Sequence, residues 1–425
     1  MDPQPVPAFV AGADTPTGLA VAAALQDEGV PVIGLAADPR APACRATAWT
    51  AIVPVAAPGA ADWLAALRTA HARHGRGALL IADDAVVRIV GEHRAEVDAL
   101  ADVVLPGWEQ VEPLLDKTAF HAWATGHGFP VPATAVVSSP IELAEALATM
   151  RYPLVVKPFE RTTAWQAVSK RDKVRRIDSA SDLDTWGFRP FDVADRYVVQ
   201  EWIPGLDSDV WFCLTYRDRS GRPVVTRTGR KITQWPVDTG SSALAVTADH
   251  PQLEALTHRV LDAAGHVGFG SLEVRRSSRD GKLYITEPTV GRPNLQSALA
   301  TAAGANLAVA AYRDALGLPQ PEPVRPRPAV WVHESGLPRS LVVGALRGRL
   351  DVVEIVAALA RRGTTRVGAF GAAGDRTPVR AEWRRLAGRL LRRGEQRALE
   401  PVVTLPNPRA PIDQQVDTPA PEPTS

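Results

Sequence analysis

Two carboxylates and three lysines stand at spacings that can do chemistry together. Glu273 lies in the strand-like run Gly270 to Arg275, and Glu287 follows the run Leu283 to Thr286. Arg279-Asp280-Gly281-Lys282 between them reads as a hairpin turn. Carboxylates on neighbouring strands and one face form an oxygen-donor pair suited to Mg²⁺ or Mn²⁺. Mg²⁺ takes one or two protein carboxylates and completes its shell with water and substrate phosphate. Like charges directly opposite each other are unfavourable without a cation between them, which weakens the plainer reading of two exposed surface acids. Lys157 ends the apolar segment Leu154 to Val156, and Gly229-Arg230-Lys231 follows the strand-like Val224 to Thr228. Lys157, Lys231 and Arg230 would supply the positive side of a phosphate site.

Lysine is scarce here. Of 48 basic residues only Lys117, Lys157, Lys170, Lys173, Lys231 and Lys282 are lysines, all inside one stretch of the chain. A compact ammonium on a flexible stem is kept where a planar guanidinium does not serve, and phosphate binding is one such task. Lys282 is accounted for by the hairpin turn and Lys173 by solvent.

The elements that must carry these residues follow from composition and pattern. At 425 residues the chain is long enough for two or three domains, and its 45% hydrophobic content suits a folded protein. A net charge of +1 argues against nucleic acid as a partner. Cys44 and Cys213 sit in no metal or redox spacing and read as small buried residues in a reducing compartment. Asp2 and the lack of a basic segment before an apolar run predict no secretory leader and a cytoplasmic protein. The uncharged stretch Leu295 to Tyr312 reads as a buried helix rather than a membrane span.

Residues 1–115 alternate strand and helix, which predicts a Rossmann-like parallel sheet. Its turn Gly12 to Gly18, with Asp38 further on, lacks the strict dinucleotide spacing, so the glycines are expected to serve the turn. Trp108 to His127 and Ile141 to Met150 read as helices, and residues 154–286 turn β-rich, with Pro251 to Ala264 as a helix. A proline-rich connector from Pro319 to Pro328 precedes a mostly helical region, 319–405, arginine-dense over 376–397, read as a solvated helix face. Residues 406–425 are polar and proline-rich and read as a disordered tail.

Taken in order, these segments resemble the ATP-grasp superfamily, in the branch of predicted carboxylate–amine ligases. The resemblance rests on Asp116-Lys117, Val155-Val156-Lys157-Pro158, the hinge Val199-Gln200-Glu201-Trp202-Ile203-Pro204-Gly205, Asp207, Gly229-Arg230-Lys231, and the hairpin acids Glu273 and Glu287. Each motif alone is weak; their order and spacing are specific. The resemblance implies a mixed α/β and α+β chain. A Rossmann-like pre-ATP-grasp domain would precede a two-lobed ATP-grasp domain over 116–318, with its hinge near 198–205 and a helical C-terminal extension.

It further implies that Lys117 and Lys157 hold ATP phosphates, and that Gln200, Glu201, Trp202 and Ile203 contact adenine, chiefly through backbone. Asp207 would hold the ribose, Arg230 and Lys231 would meet the γ phosphate, and Glu273 and Glu287 would bind Mg²⁺. Two departures stand out. Residues 159–170 contain no glycine where the family carries a glycine-rich loop, so Arg161, Thr162, Thr163 and Lys170 would replace backbone donors. Glu287-Pro288-Thr289-Val290-Gly291-Arg292-Pro293-Asn294 replaces the family's E-x-N-P-R. Thr289 thus stands in the usual Asn place, and Arg292 is the residue expected to orient the acid.

The activity implied is an ADP-forming, Mg-dependent ligase that activates a carboxylate as an acyl phosphate for attack by an amine. The rivals are a kinase-type phosphotransferase of the same fold, an inactive ATP-binding module, and, weakest, a dehydrogenase. Expected partners are small carboxylate and amine substrates, with no nucleic acid and no transmembrane segment. The assembly stays open between monomer and homodimer.

Overall fold

The computed structural model describes residues 5–159, 165, 175–322, 324–372 and 374–399. Residues 1–382 form one compact unit; of a second, beginning at Trp383, residues 383–399 are described and are helical. Among the described residues no helix is long and apolar enough to cross a membrane.

The N-terminal sheet comprises β1 (Ala8–Ala11), β2 (Val32–Ala36), β3 (Ala51–Pro54), β4 (Gly77–Ile81) and β5 (Ala101–Asp102). Its order is β3-β2-β1-β4-β5 and every pairing is parallel. β1, β2 and β4 are buried along their whole length, as strands covered on both faces must be. After β1, the Thr15 hydroxyl accepts from Gly18 N at 3.0 Å and donates to Gly12 O at 2.8 Å, capping helix Pro16–Gln26. A Cβ on Gly18 would lie 2.3 Å from Gly12 O, so the turn itself accounts for that glycine.

A small antiparallel sheet follows, built from β6 (Thr134–Val137), β7 (Leu154–Pro158), β8 (Arg175–Ile177) and β9 (Tyr197–Glu201), in the order β6-β9-β7-β8. It has a core of its own, including Leu154, Val156, Trp165, Ile177, Trp186 and Tyr197. Trp165 is fully buried, with its ring edge-on to Trp186, Phe188 and Tyr197. Arg161, Thr162, Thr163, Lys170 and Lys173 lie outside the described residues, as does the tail 406–425.

The large sheet contains β10 (Val210–Arg217), β11 (Pro223–Trp235), β12 (Ser241–Thr247), β13 (Gly268–Arg276), β14 (Leu283–Val290), β15 (Ala329–Val332) and β16 (Thr365–Gly368). They run in the order β14-β13-β10-β11-β12-β15-β16. The described segment after 319 is mostly helical, as expected, but it also adds two strands to this sheet. Val330 and Trp331 are buried, β15 pairs with β12, and β16 runs parallel to β15. Helices Leu337–Leu346 and Val352–Ala360 then cover Ile232 and Leu244.

The stretch read as one buried helix from Leu295 is two, Ser297–Ala302 and Leu307–Ala315, separated where Gly304 takes a φ of +92° and Asn306 caps the second. Both pack against helix Pro16–Gln26. Phe9, Leu79 and Ile81 of the N-terminal sheet likewise share a core with Leu272 and Val290 of the large one. The N-terminal sheet and its helices are thus fused to the large sheet by apolar packing, while the small sheet stands on its own core.

Candidate active site

A cavity of about 870 Å³ opens where the small sheet faces the large one. Its volume lies in the range of pockets that enclose a nucleotide-sized ligand. Lys157, Phe159 and Gln200 line it from the small sheet, Lys117 from the helix before that sheet, and Lys231, Glu273, Glu287 and Thr289 from the large sheet.

Local structure delivers each group. The expected long helix from Trp108 is broken at Asp116, which is extended and whose carboxylate accepts from Thr118 N at 2.9 Å and Ala119 N at 2.7 Å. That cap starts helix Lys117–Gly126 at the cavity wall and makes Lys117 its first residue. β14 runs on to Val290, so Glu287 lies within the strand, directly opposite Glu273 across the β13–β14 ladder. Two residues along the same face, Ser271 opposes Thr289. The Asn294 amide donates to the Ser271 hydroxyl at 3.1 Å, which brings Asn294 beside Thr289 on the cavity wall.

Each acid faces a lysine. Lys231 Nζ lies 2.8 Å from Glu273 Oε2, and Lys117 Nζ lies 3.1 Å from Glu287 Oε1. Lys231 is almost wholly buried and also donates to Gln234 Oε1 at 3.1 Å. Among the described residues no carboxylate pairs with Lys157: burial, and then Lys117, pull it below the ordinary lysine range, against weaker support from Glu287 and Asp116. A desolvated ammonium beside a second one favours a bound anion.

Beside the two acids the cleft wall offers two more oxygen-bearing side chains, the Thr289 hydroxyl and the Asn294 amide, whose oxygen also accepts from Leu295 N at 2.6 Å. Such a set fits a hard divalent cation and no soft one. Among the described residues no group of three or more His, Cys, Asp or Glu that could hold a metal ion gathers anywhere, so in the cleft the two acids stand as a pair.

No family model and no curated protein matches the sequence. Solved structures do match in shape. An N5-carboxyaminoimidazole ribonucleotide synthetase in its ADP complex superimposes with a TM-score of 0.60 at 17% identity, covering 82% of this chain and 86% of its own. A biotin carboxylase from Campylobacter jejuni gives 0.58 at 12% identity, over 77% and 75% of the two chains. An L-amino acid ligase from Bacillus licheniformis gives 0.53 at 14%, over 76% and 75%. With the two facing sheets and the cleft between them, that likeness decides the architecture. The chain has the ATP-grasp fold.

Not every expected residue joins the ATP-grasp cleft. Arg230 does not line it: neighbours along β11 point to opposite faces, so Lys231 faces the cleft and Arg230 faces away. The Arg230 guanidinium instead pairs with Glu354 at 2.7 Å and lies over the Trp211 ring. An Arg230→Gln variant is therefore expected to lose about 0.5–1 kcal/mol of stability in thermal unfolding and to keep nucleotide affinity within about twofold.

Asp207 also turns away from the cleft. It is buried, and its carboxylate accepts from Gln234 N at 2.7 Å, Gln234 Nε2 at 2.8 Å and Asp238 N at 3.1 Å, so it locks the β11 end and the following loop.

Arg292 lines the cleft, but its Nε and one terminal nitrogen hold Asp84 of the N-terminal domain at 2.5 and 2.7 Å, and the other terminal nitrogen donates to Pro293 O at 3.1 Å. The hinge residues Gln200, Glu201, Trp202 and Ile203 all line the cleft. Glu201 is held by Arg279 at 2.6 Å. The backbone N–H groups of Glu201 and Trp202 already donate to Ala133 O and Pro153 O.

Several wall residues carried no signal in the sequence. Arg275 is buried under the Trp202 ring and donates to Asp238 O at 3.2 Å. Asp238 has a left-handed φ of +72° and pairs with Arg349 at 2.6 Å, an arginine from the C-terminal region. Both contacts join residues too far apart in sequence for any spacing rule, though two residues after Glu273 is a same-face position and marks Arg275 in hindsight.

Proposed function

We propose that this chain is an ADP-forming, Mg-dependent ligase that activates a carboxylate as an acyl phosphate for attack by an amine. The observation that carries the reading is the gathering, in one cleft, of Lys117, Lys157 and Lys231 with the adjacent acids Glu273 and Glu287. Cations for phosphate oxygens and paired carboxylates for a metal are the parts phosphoryl transfer needs. The neighbouring folds described as synthetase, carboxylase and L-amino acid ligase support the class of reaction.

In this mechanism Lys117 and Lys157 hold the α and β phosphates, and Lys231 meets the γ phosphate. Glu273 and Glu287, with Thr289 or Asn294 completing the donor set, would hold Mg²⁺, which when bound neutralises phosphate charge and orients the triphosphate. A substrate carboxylate oxygen attacks the γ phosphorus, the bond to the β–γ bridging oxygen breaks, and ADP leaves with that electron pair. The amine nitrogen then attacks the acyl carbon, phosphate departs, and the nitrogen gives up a proton. Little covalent help is asked of the protein, because position and charge carry most of the barrier reduction.

Arg292 orients the acid with whichever N–H groups its Asp84 and Pro293 bonds leave free. Asp84→Ala is expected to raise the KM for the acid about tenfold while leaving the KM for ATP unchanged, read by steady-state kinetics. Lys157 supplies a second readout. The free protein sheds its Lys157 proton at lower pH than an ordinary lysine, and a bound triphosphate restores it. Triphosphate binding at alkaline pH is therefore expected to take up a proton, and affinity to fall as pH rises through the lowered value. Calorimetry in two buffers of different ionisation heat reads the uptake, and a Lys157→Met variant loses it.

The deciding assay is ADP release from Mg-ATP over crossed panels of amino acids and carboxylic acids, with product mass as readout. Amide-containing product supports the ligase. Hydroxamate on hydroxylamine trapping without amide, or a phosphorylated hydroxyl, would move the chain to the kinase-type reading; ATP binding with no turnover would mark an inactive module.

A further inference from the structure

The wall of the cleft at Gln200 is built with more polar detail than a hinge requires. Gln200 faces Thr134 across the β6–β9 ladder, and its amide nitrogen lies 2.9 Å from the Thr134 hydroxyl and 2.9 Å from His121 Nε2. His121 sits one turn after Lys117 in helix Lys117–Gly126 and is buried. Its other ring nitrogen, Nδ1, lies 3.5 Å from the Thr134 hydroxyl. That hydroxyl donates to Pro132 O at 3.0 Å.

Counting donors closes the network in one way. The Thr134 proton goes to Pro132 O, so the Thr134 oxygen accepts. Neutral histidine has one donor and one acceptor nitrogen. With Nδ1–H directed at Thr134, Nε2 accepts from Gln200. Both N–H groups of the Gln200 amide are then spent on Thr134 and His121. Only its carbonyl oxygen is left for the cleft that Gln200 lines. The opposite amide orientation breaks the Thr134–Pro132 bond and sets the Nδ1 lone pair against the Thr134 oxygen. Burial, then Lys157 and Lys117, hold the His121 pKa down at about 4, so the ring stays neutral over the physiological range.

We infer that His121 and Thr134 lock the Gln200 carboxamide with its oxygen toward the nucleobase, making Gln200 a reader of the purine 6-substituent that accepts a 6-amino group and rejects a 6-oxo group. This rests on the nucleotide-binding reading above, with the base at the hinge. A 6-amino group donates to the fixed oxygen, whereas a 6-oxo group sets two acceptors face to face in a partly desolvated wall. His121 and Thr134 act through Gln200 and are positioning residues.

Calorimetric binding of ATP, ITP and purine riboside triphosphate to the full chain tests this, with inorganic tripolyphosphate reporting on the phosphate half alone. The wild type is expected to bind ATP about tenfold or more tighter than ITP, with the unsubstituted purine between them. His121→Phe keeps a flat ring but removes the acceptor that holds the amide. It is expected to cut the ATP-to-ITP ratio below about threefold while leaving tripolyphosphate affinity unchanged, a change that a purely structural role would not produce. Thr134→Val removes the other partner without changing shape and is expected to do the same, which keeps the test open should the Phe variant not fold.

Equal or tighter binding of ITP by the wild type overturns the inference, as does a ratio that survives both substitutions. Failure of all four ligands to bind overturns the proposed function beneath it. Tight binding of all three nucleotides without discrimination removes only the base reading.

Discussion

Replacing Lys231 with Met is expected to lower ADP release by about a hundred- to a thousandfold, the scale of removing one fixed donor from a transition-state charge. Lys231 is almost wholly buried, held between Glu273 and Gln234, and its charge is aimed by those partners rather than by a flexible stem in water. A preorganised charge of this kind needs no reordering when phosphoryl charge shifts. Triphosphate binding, supported as well by Lys117 and Lys157, is expected to weaken far less than turnover.

The substitution also removes a partner from Glu273, which is mostly buried. A drop in stability of about 1–3 kcal/mol is therefore expected from the single variant. Pairing Lys231→Met with Glu273→Gln restores that stability and not the activity. Thermal unfolding and ADP release on the single and double variants separate the two effects. Normal turnover in a folded Lys231→Met protein would sink the assignment.

Glu287→Gln is expected to produce the second largest effect, and one with a sign that a damaged fold does not mimic. Glu273 and Glu287 oppose each other on adjacent strands, and each is balanced by a lysine that the mechanism assigns to phosphate. Removing one carboxylate charge costs the proposed metal a ligand, so Mg-dependent ADP release is expected to fall about a hundredfold or more. In chelator, by contrast, the variant is expected to bind ATP more tightly than the wild type. Lys117 is freed from its 3.1 Å pairing with Glu287, and a negative charge beside the triphosphate is gone. Affinity titrations with and without Mg²⁺ read this crossover. Equal weakening under both conditions would mean that Glu287 serves the fold rather than the ion.

Glu273 and Glu287 were legible from the sequence because a hairpin is a local object. Turn residues at Arg279 to Lys282 set the register, and strand periodicity then places two acids on one face. Lys157 was legible for the same reason, as the polar end of an apolar strand. Lys117, by contrast, was named through the resemblance alone, and the helix break at Asp116 that places it was not expected. The Rossmann-like opening sheet was readable from alternating periods, and the preference for a structural turn at Gly12 agrees with the capping bonds made there. These features depend on neighbours within a few residues or one hairpin. Local sterics and hydrogen bonding suffice to specify them.

What the sequence did not disclose is which partner each charged group meets across the fold. Arg230 stands beside Lys231 in every motif reading, yet the pleat sends it to the opposite face, where Glu354 waits 124 residues away. The resemblance alone implies a ribose role for Asp207, but three N–H donors from β11 and its loop take up its oxygens. Arg292 is anchored by Asp84, 208 positions earlier, and the Gln200 amide is held by His121 from a helix 79 positions earlier.

β15 and β16 were hidden as well, because four-residue strands at a sheet's far edge gain their stability from pairing and burial rather than from any pattern of their own. Periodicity and turn chemistry are one-dimensional and survive in the sequence. The direction of a side chain's free lone pair is settled only when distant elements pack and take up its other hydrogen bonds.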